Sequence, residues 1–169
     1  PGLYMIQPRE GERSFSYWRG QSAARTLADD PDWLDEIMAE RDVIQFSGIP
    51  LAILAPEARR TLCTALGRAR AAGAMIAFDT NLRPALWESA EAMRSGLLMG
   101  AAVSDTVLPS FDEEQLAFQD ATPEDTLQRY RAAGASCVVI KNGAAPCHGW
   151  SEADGTVTTA PPEVHRITD

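Results

Sequence analysis

The sequence predicts an α/β domain in which helices cover both faces of a mainly parallel β-sheet, preceded by a β-hairpin. Three observations lead to this fold class. Short apolar runs recur along the chain, at residues 43–46, 75–78, 103–108 and 137–140. Helical patterns separate these runs, as expected of βαβ units with a sheet buried between helices. Two β-rich runs near the N-terminus flank a segment with turn chemistry, which is typical of a hairpin.

The hairpin is the first predicted element. Residues 2–7 and 13–18 are rich in apolar and aromatic side chains, and the segment Pro8-Arg9-Glu10-Gly11-Glu12 between them contains a turn-forming glycine. We therefore divide the chain into a hairpin lid, residues 1–20, and the central part of an α/β domain, residues 21–169.

Five helices and further strands are predicted after the hairpin. Asp30 or Asp32 can cap the first helix, Pro56 suits the first turn of the second, and Gly73 and Gly134 end the second and the fifth. The predicted helices span 32–41, 56–72, 90–99, 112–118 and 123–133. An edge strand is predicted at 157–159.

Composition narrows the class of protein. The 169 residues carry a formal net charge of -9, which argues against nucleic acid as a partner because phosphates repel acidic surfaces. No apolar run of about 18 residues is present, so no membrane-spanning helix is predicted. Three cysteines and two histidines lack the spacing of metal ligands. Reduced thiols and a cytoplasmic location are therefore expected.

Polar segments follow four of the predicted strands. In open parallel sheets, ligands bind beyond the carboxyl ends of the strands. The segments that the sequence places there are Ser47-Gly48-Ile49, Asp79 to Arg83, Pro109 to Glu114, and Lys141 to Pro146.

The segment Asp79-Thr80-Asn81-Leu82-Arg83 carries the densest set of functional groups. A guanidinium at a strand end can hold a phosphate or carboxylate through two parallel hydrogen bonds. The alternative is a structural loop in which Asp79 and Asn81 form turns and Arg83 pairs with Asp79.

Three acids follow Ser110 directly after a predicted strand. They suit a Mg²⁺ site, because Mg²⁺ favours one or two carboxylates plus waters. They also suit a helix start capped by Ser110, where the macrodipole favours acids.

The segment Lys141-Asn142-Gly143 has two interpretations as well. Glycine at a strand end lets a nucleotide approach the backbone closely. Asn-Gly is equally typical of a turn that joins residues 138–140 to a strand near 147–150.

Tyr17 and Arg19 are two residues apart on a predicted strand and therefore share a face. With Tyr4 on the partner strand, this face suits a hydroxylated acid. Ordinary cross-strand aromatic packing is the alternative.

Taken in their order along the chain, these segments resemble the PfkB/ribokinase family of sugar kinases. The resemblance covers essentially the whole chain. The segments point to the family's ketodeoxygluconate branch through the Gly-Leu-Tyr opening, Tyr-Trp-Arg and Pro-Ser-Phe-Asp-Glu-Glu. The residues that carry the resemblance are Gly2-Leu3-Tyr4-Met5-Ile6, Gly11-Glu12-Arg13, Tyr17-Trp18-Arg19, Phe46-Ser47-Gly48-Ile49, Phe78-Asp79-Thr80-Asn81-Leu82-Arg83-Pro84, Leu86-Trp87, Leu108-Pro109-Ser110-Phe111-Asp112-Glu113-Glu114 and Val138-Val139-Ile140-Lys141-Asn142-Gly143.

The resemblance implies a ribokinase-like fold and an activity. ATP, with Mg²⁺, would phosphorylate the 6-hydroxyl of 2-keto-3-deoxygluconate in an Entner–Doudoroff or uronate-degrading route. A homo-oligomer is also implied, because the family often pairs through its hairpins.

The resemblance also implies residue roles. The positions that would contact the sugar acid are Tyr4, Tyr17, Arg19, Ile49 and Arg83. The positions that would contact the nucleotide are Asn81, Arg83, Ser110, Lys141, Asn142, Gly143, Ala144, Ala145 and Pro146. Arg83 would support catalysis, and Glu114 would hold Mg²⁺ through water.

The chain departs from the family pattern in three places. The magnesium motif Asn-x-x-Glu reads Ser110-x-x-x-Glu114, which leaves the choice between Glu113 and Glu114 open, and Pro146 stands where glycine is common. The catalytic loop would begin at Asp169, so its base is expected just after the chain. The opening Gly-Gly segment that grips the sugar is missing before Pro1. We therefore expect a truncated kinase that is inactive by itself.

Two rival functions remain open at this stage. One is a fructokinase-like enzyme for a neutral sugar, which would need no carboxylate partner at Arg19. The other is a catalytically inactive sugar-binding module on the same fold.

Overall fold

The computed structural model describes residues 2–9, 12–18 and 20–161, with the backbone alone described at 8, 9, 12–15 and 17. The strands are β1 (Leu3–Arg9), β2 (Glu12–Trp18), β3 (Val43–Ser47), β4 (Met75–Asp79), β5 (Thr106–Leu108), β6 (Cys137–Ile140), β7 (Cys147–Ser151) and β8 (Gly155–Thr159). The α-helices are α1 (Pro31–Met38), α2 (Gly48–Ile53), α3 (Pro56–Ala71), α4 (Ala90–Ala102), α5 (Phe111–Phe118) and α6 (Pro123–Ala132).

Local sequence signals fix several helix starts. The Asp30 carboxylate accepts hydrogen bonds from the backbone N–H groups of Asp32 and Trp33, at 3.1 and 3.0 Å. Thr122 and Asp125 form a reciprocal capping box at the start of α6. Proline occupies the first turn of α1, α3 and α6, where its missing N–H costs nothing.

Three stretches differ from the sequence prediction. Helix α1 ends at Met38 rather than at Arg41, and Glu40 beyond it has a left-handed φ of 57°. Helix α4 continues to Ala102, so β5 begins at Thr106 rather than Val103. Helix α2 was not predicted, since Gly48–Ile53 contains glycine and proline and is only six residues long.

The sheet confirms the predicted α/β class. Its order is β3-β4-β5-β6-β7-β8, in which β3 to β6 are parallel and β7 and β8 antiparallel. Right-handed crossovers between strands added in sequence carry successive helices to the same side. One face is accordingly buried against helices, through Ile76, Phe78, Val107, Val138 and Ile140.

The opposite face of the sheet, for which the sequence also predicted helices, carries exposed apolar side chains among the described residues. The exposed fractions are 54% for Val43, 46% for Met75, 37% for Val139 and 61% for Val157. The described helices therefore cover one face. None of them combines the length and apolar character needed to cross a membrane.

Strands β1 and β2 form the predicted hairpin as a separate two-stranded antiparallel sheet. Large apolar side chains of the hairpin are exposed: 59% for Leu3, 50% for Tyr4, 46% for Met5, 44% for Ile6 and 57% for Trp18. An isolated two-stranded sheet is only marginally stable in water. The hairpin therefore presents apolar surface suited to contact with a ligand or another chain.

Candidate functional site

The carboxyl ends of β3 to β6 bring together the polar segments that the sequence placed there. Asp79 ends β4, where it pairs in register with Ser47 of β3 and Leu108 of β5. Lys141 follows β6, and its Nζ lies 2.9 Å from Oδ1 of Asp79. An ion pair thus crosses the edge of the sheet, over the end of β5.

A second ion pair joins the next two segments. Nη1 of Arg83 lies 2.9 Å from Oε1 of Glu113, and the backbone N–H of Leu82 donates to Oε2 of Glu113 at 3.1 Å. The alternative pairing of Arg83 with Asp79 is not formed, because Glu113 reaches Arg83 from the start of α5. Asn81 has a φ of 35°, a left-handed conformation that asparagine tolerates better than most residues.

Close backbone contact holds the segment that carries Arg83 at one end. A Cβ built at Gly48 would lie 2.1 Å from the carbonyl oxygen of Thr80, so glycine is needed there. The side chain of Thr80 is fully buried. The start of α2 and the end of β4 are thereby packed backbone to backbone.

A buried arginine, Arg59, holds the chain a few residues beyond Arg83, at Trp87 and Glu88. Arg59 is 5% exposed and its Nε donates to the carbonyl of Leu51 at 2.6 Å. Its Nη2 donates to the carbonyl of Leu54 at 3.2 Å and to Glu88 at 3.0 Å. The guanidinium also lies 4.7 Å from the ring centroid of Trp87, a cation–π contact. Sequence reasoning missed this residue, since nothing in the helical pattern around it distinguishes a buried arginine from an exposed one.

Glu113 and Glu114 have different surroundings, which bears on the choice that the sequence left open. Glu114 is fully buried, with Oε2 2.9 Å from Nη2 of Arg129 and both oxygens within 3.0 Å of the Tyr130 hydroxyl. Arg129 also pairs with Asp120. The Glu113 carboxylate is 25% exposed and reaches the Arg83 segment. Glu113 is therefore the acid of this pair that faces the carboxyl edge.

Burial dominates the electrostatics of Glu114. Desolvation raises the pKa of its carboxyl to about 7, against the smaller lowering effects of Tyr130, Arg129 and Thr80. Desolvation also raises the pKa of the Tyr130 phenol well above its usual range, and the nearby Glu114 adds to this. The two groups form a hydrogen-bonded pair in the helix layer beneath the edge.

The residues expected to contact the nucleotide form a compact turn. The N–H of Lys141 donates to the carbonyl of Pro109 and the N–H of Phe111 donates to the carbonyl of Lys141, each at 2.8 Å. Ser110 and Lys141 are thus paired as a parallel bridge. Beyond them, the N–H of Ala145 donates to the carbonyl of Asn142 at 2.9 Å.

The same segment is also the predicted turn between strands. It joins β6 to antiparallel β7, and Gly143 adopts a φ of 55°. The side chain of Asn142 donates to the carbonyl of Pro146 at 3.3 Å, and Ala144 lies within this turn. The predicted turn and the candidate nucleotide contact are therefore one segment, at the carboxyl edge of the parallel strands.

The residues expected to contact the sugar acid come from the hairpin and α2. The register places Tyr4 opposite Tyr17, as the shared face required. Tyr4 and Ile49 line one cavity of about 290 Å³, together with Gly2, Ser22, Ala24, Leu27, Pro50 and Ile53. This volume is close to the lower end of the usual range for small-molecule sites, roughly 300 to 1,000 Å³. Arg19 lies outside the described residues.

Asp79 is the site residue that the sequence-based set of contacts left out. Its signal was its position, because Asp79 ends β4 and Lys141 follows β6, and only β5 lies between these two strands. Among the described residues, no group of three or more histidine, cysteine, aspartate or glutamate side chains is arranged to hold a metal ion. A cation held by one or two carboxylates and water remains compatible with this edge.

Sheet order, helix layer and charged carboxyl edge together define a ribokinase-like α/β protein. The chain belongs to the pfkB family of carbohydrate kinases, whose family model matches residues 1–167. This confirms the resemblance drawn from the motifs.

Individual relatives agree with the family. The chain is 42% identical over 146 residues to the 2-dehydro-3-deoxygluconokinase of Haemophilus influenzae, covering 85% of this chain and 46% of that protein. It is 39% identical over 150 residues to the enzyme of the same name from Dickeya dadantii, covering 87% and 48%. The solved structure of a PfkB protein from Polaromonas sp. JS666 superposes with a TM-score of 0.80 at 33% identity, covering 96% of this chain and 54% of that one. The chain thus spans about half the length of the curated relatives it matches.

Proposed function

We propose that this chain is part of a kinase that transfers the γ-phosphate of ATP to the 6-hydroxyl of 2-keto-3-deoxygluconate. This compound is also called 2-dehydro-3-deoxygluconate. The carboxyl edge of the parallel strands supports this best, because it gathers two cations and two carboxylates beside the candidate nucleotide turn. Relatives of that name match at 42% and 39% identity.

The sugar acid is assigned to the cavity beneath the hairpin. Tyr4, Tyr17 and Ile49 would contact its hydroxyls and carbon chain, and Arg19 its carboxylate. The hairpin would also exclude water, which protects ATP from simple hydrolysis. Because the 2-keto acid is an anion, the guanidinium of Arg19 sets the expected preference over neutral sugars.

The nucleotide is assigned to the opposite side of the edge. Ser110 and residues 141–146 would line its binding surface, with Asn81 and Arg83 directed at the transferring phosphate. Phosphoryl transfer depends on positioning and charge neutralisation, which the Arg83 guanidinium supplies to the γ-phosphate oxygens.

Mg²⁺ is the metal that this chemistry implies, and it neutralises charge on the phosphates when bound. The donor set fits it, since Mg²⁺ takes one or two carboxylates and completes its shell with water and phosphate oxygens. Glu113 is the acid that we assign to it, with Glu114 holding α5 in place from below. The base that takes the hydroxyl proton is expected after Asp169 and stays a prediction.

A substrate panel tests the proposal. The complete encoded polypeptide should consume ATP in a coupled assay with 2-keto-3-deoxygluconate and far more slowly with fructose. Arg19→Ala should raise the KM for the keto acid while leaving the KM for ATP unchanged. Preference for fructose would favour a fructokinase-like enzyme, and sugar binding without ATP consumption would favour an inactive binding module.

We further propose a cytoplasmic homo-oligomer joined through the hairpins, with no nucleic acid or membrane as a partner. Exposed apolar side chains on the hairpin support this, because burying them between two chains would stabilise the assembly. They are Leu3, Met5, Ile6 and Trp18. Light scattering coupled to gel filtration should give a mass above that of the monomer. Replacing Met5 and Trp18 together by serine should reduce that mass, and an unchanged oligomer would contradict the assignment.

A further inference from the structure

Each cation at the carboxyl edge described above is paired with a carboxylate from a neighbouring segment. Lys141 pairs with Asp79 at 2.9 Å, and Arg83 pairs with Glu113 at 2.9 Å. All four side chains are partly exposed, from 25% to 47%. The groups best suited to bind phosphate are therefore neutralised by acids when no ligand is bound.

The first pair joins two anchored positions. Asp79 is the last residue of β4 and lies in register with β3 and β5. The backbone of Lys141 is hydrogen bonded on both sides to the segment after β5. Because both backbones are fixed, exchange of partners requires only rotation of the Lys141 side chain.

Energetics favour such an exchange. A partly exposed ion pair contributes only about 0.2 to 1 kcal/mol, so breaking it costs little. Once Lys141 turns to a phosphate, the Asp79 carboxylate is left beside an anion, and this repulsion opposes binding. A divalent cation that arrives with the nucleotide removes the repulsion, because the freed carboxylate then faces positive charge.

We propose that Asp79 makes nucleotide binding depend on the divalent cation, by holding Lys141 in the free protein and turning its own charge toward the cation once Lys141 binds phosphate. This rests on the proposed function, since it assigns nucleotide to this edge. It makes Asp79 a positioning residue, with direct phosphate contact assigned to Lys141.

Binding measured with and without Mg²⁺ tests this without turnover. The complete polypeptide would be titrated with the β,γ-imido analogue of ATP by calorimetry, in excess Mg²⁺ and in excess chelator. The quantity compared between variants is the Kd in chelator divided by the Kd in Mg²⁺. Asp79→Asn should bind the Mg²⁺-free analogue about two- to fivefold more tightly than wild type, which corresponds to the ordinary strength of one such ion pair. In Mg²⁺, Asp79→Asn should bind the analogue no more tightly than wild type does, so the ratio of the Kd in chelator to the Kd in Mg²⁺ should fall.

Matched variants separate this from general charge effects. Asp35→Asn makes the same change in the exposed pair between Asp35 and Arg68, 2.7 Å apart on α1 and α3, and should leave the ratio unchanged. Asp79→Glu keeps the carboxylate and should keep the wild-type ratio. In a Lys141→Met background, the effect of Asp79→Asn on the Mg²⁺-free Kd should change in size, because the carboxylate then has no lysine to release and is unpaired with or without the nucleotide.

The outcomes distinguish the inference from the function on which it rests. If wild type binds the analogue but Asp79→Asn leaves the ratio unchanged, the exchange is refuted and the kinase assignment survives. An effect of Asp79→Asn that has the same size in the Lys141→Met background also refutes it, because the acid would then act independently of the lysine. If wild type binds no nucleotide under either condition, the proposed function fails and the exchange fails with it.

Discussion

Gly48 and Thr80 are packed so closely that a Cβ at position 48 would lie 2.1 Å from the Thr80 carbonyl oxygen. The contact joins the start of α2, which carries Ile49, to the segment that carries Asn81 and Arg83. The two candidate substrate regions are therefore held together through backbone atoms, which cannot rearrange as a side chain can.

Gly48→Ala should destabilise the protein for this reason. The added methyl group must displace backbone, and overpacking of this kind costs about 1 to 3 kcal/mol. Urea denaturation would measure the change in the free energy of unfolding. Gly67→Ala is the matched control, because the nearest atom to its Cβ would be Cγ1 of Val103 at 3.8 Å. In the interior of α3 that change should stabilise by roughly 0.5 to 1 kcal/mol. Equal effects at the two positions would contradict the close contact.

Arg59→Met should be strongly destabilising. It removes hydrogen bonds to the carbonyls of Leu51 and Leu54 and to the Glu88 carboxylate, and leaves buried acceptors unsatisfied. A loss of about 2 to 3 kcal/mol is expected for a charged donor of this kind. The neighbouring Arg60 is exposed and pairs with Glu57, so Arg60→Met should change the stability far less than Arg59→Met does. Comparable unfolding midpoints for the two variants would show that Arg59 is no anchor.

Glu114 should make stability depend on pH. Its carboxyl pKa is raised from 4.5 to about 7, so the folded state holds the proton more tightly than the unfolded state. The associated stability is present below pH 4.5, declines as the pH rises, and is lost once the pH passes about 7. Glu114→Gln mimics the protonated form and should remove this decline, as measured by chemical denaturation at a series of pH values.

The control for the pH experiment lies on α6. Glu124 is exposed in the first turn of that helix, so Glu124→Gln should keep the wild-type dependence on pH. A Glu114→Gln profile parallel to wild type would mean that the buried carboxyl is ionised throughout the range.

The proposed function predicts that Arg83→Met reduces phosphoryl transfer without unfolding the protein. Loss of one positioned donor to the transition state typically lowers kcat about 10² to 10³-fold. Steady-state kinetics of the complete polypeptide would measure this, with thermal unfolding as the check on folding. Arg94→Met is the control, since Arg94 donates only to the carbonyl of Ala117, in the helix layer, among the described residues. A fall in kcat of less than tenfold for Arg83→Met would remove Arg83 from the catalytic assignment.

The fold was predictable where local chemistry decides it. The cap at Asp30, the proline at the start of α3 and the apolar runs of β4 and β6 locate these elements within a few residues. The boundary between α4 and β5 was misplaced because Val103 suits either structure. The side of the sheet that helices cover depends on strand order, which is a tertiary property.

The candidate site was predictable in its location but not in its pairings. The carboxyl-end rule identified the segments that contain Asp79, Arg83 and Lys141. Which acid meets which cation depends on the distances between strands, so Arg83 pairs with Glu113 and Lys141 with Asp79. Burial likewise separated Glu113 from Glu114, which are indistinguishable neighbours in the sequence.

Both main-chain groups of Lys141 are occupied, through its N–H to Pro109 and its carbonyl to Phe111. The position of the backbone at this point is therefore independent of the side chain that it carries. A single codon change there alters the charge offered to a ligand without remodelling the turn around it. Residue 141 is thus a position where substitution can change the charge of the carboxyl edge while the surrounding backbone stays the same.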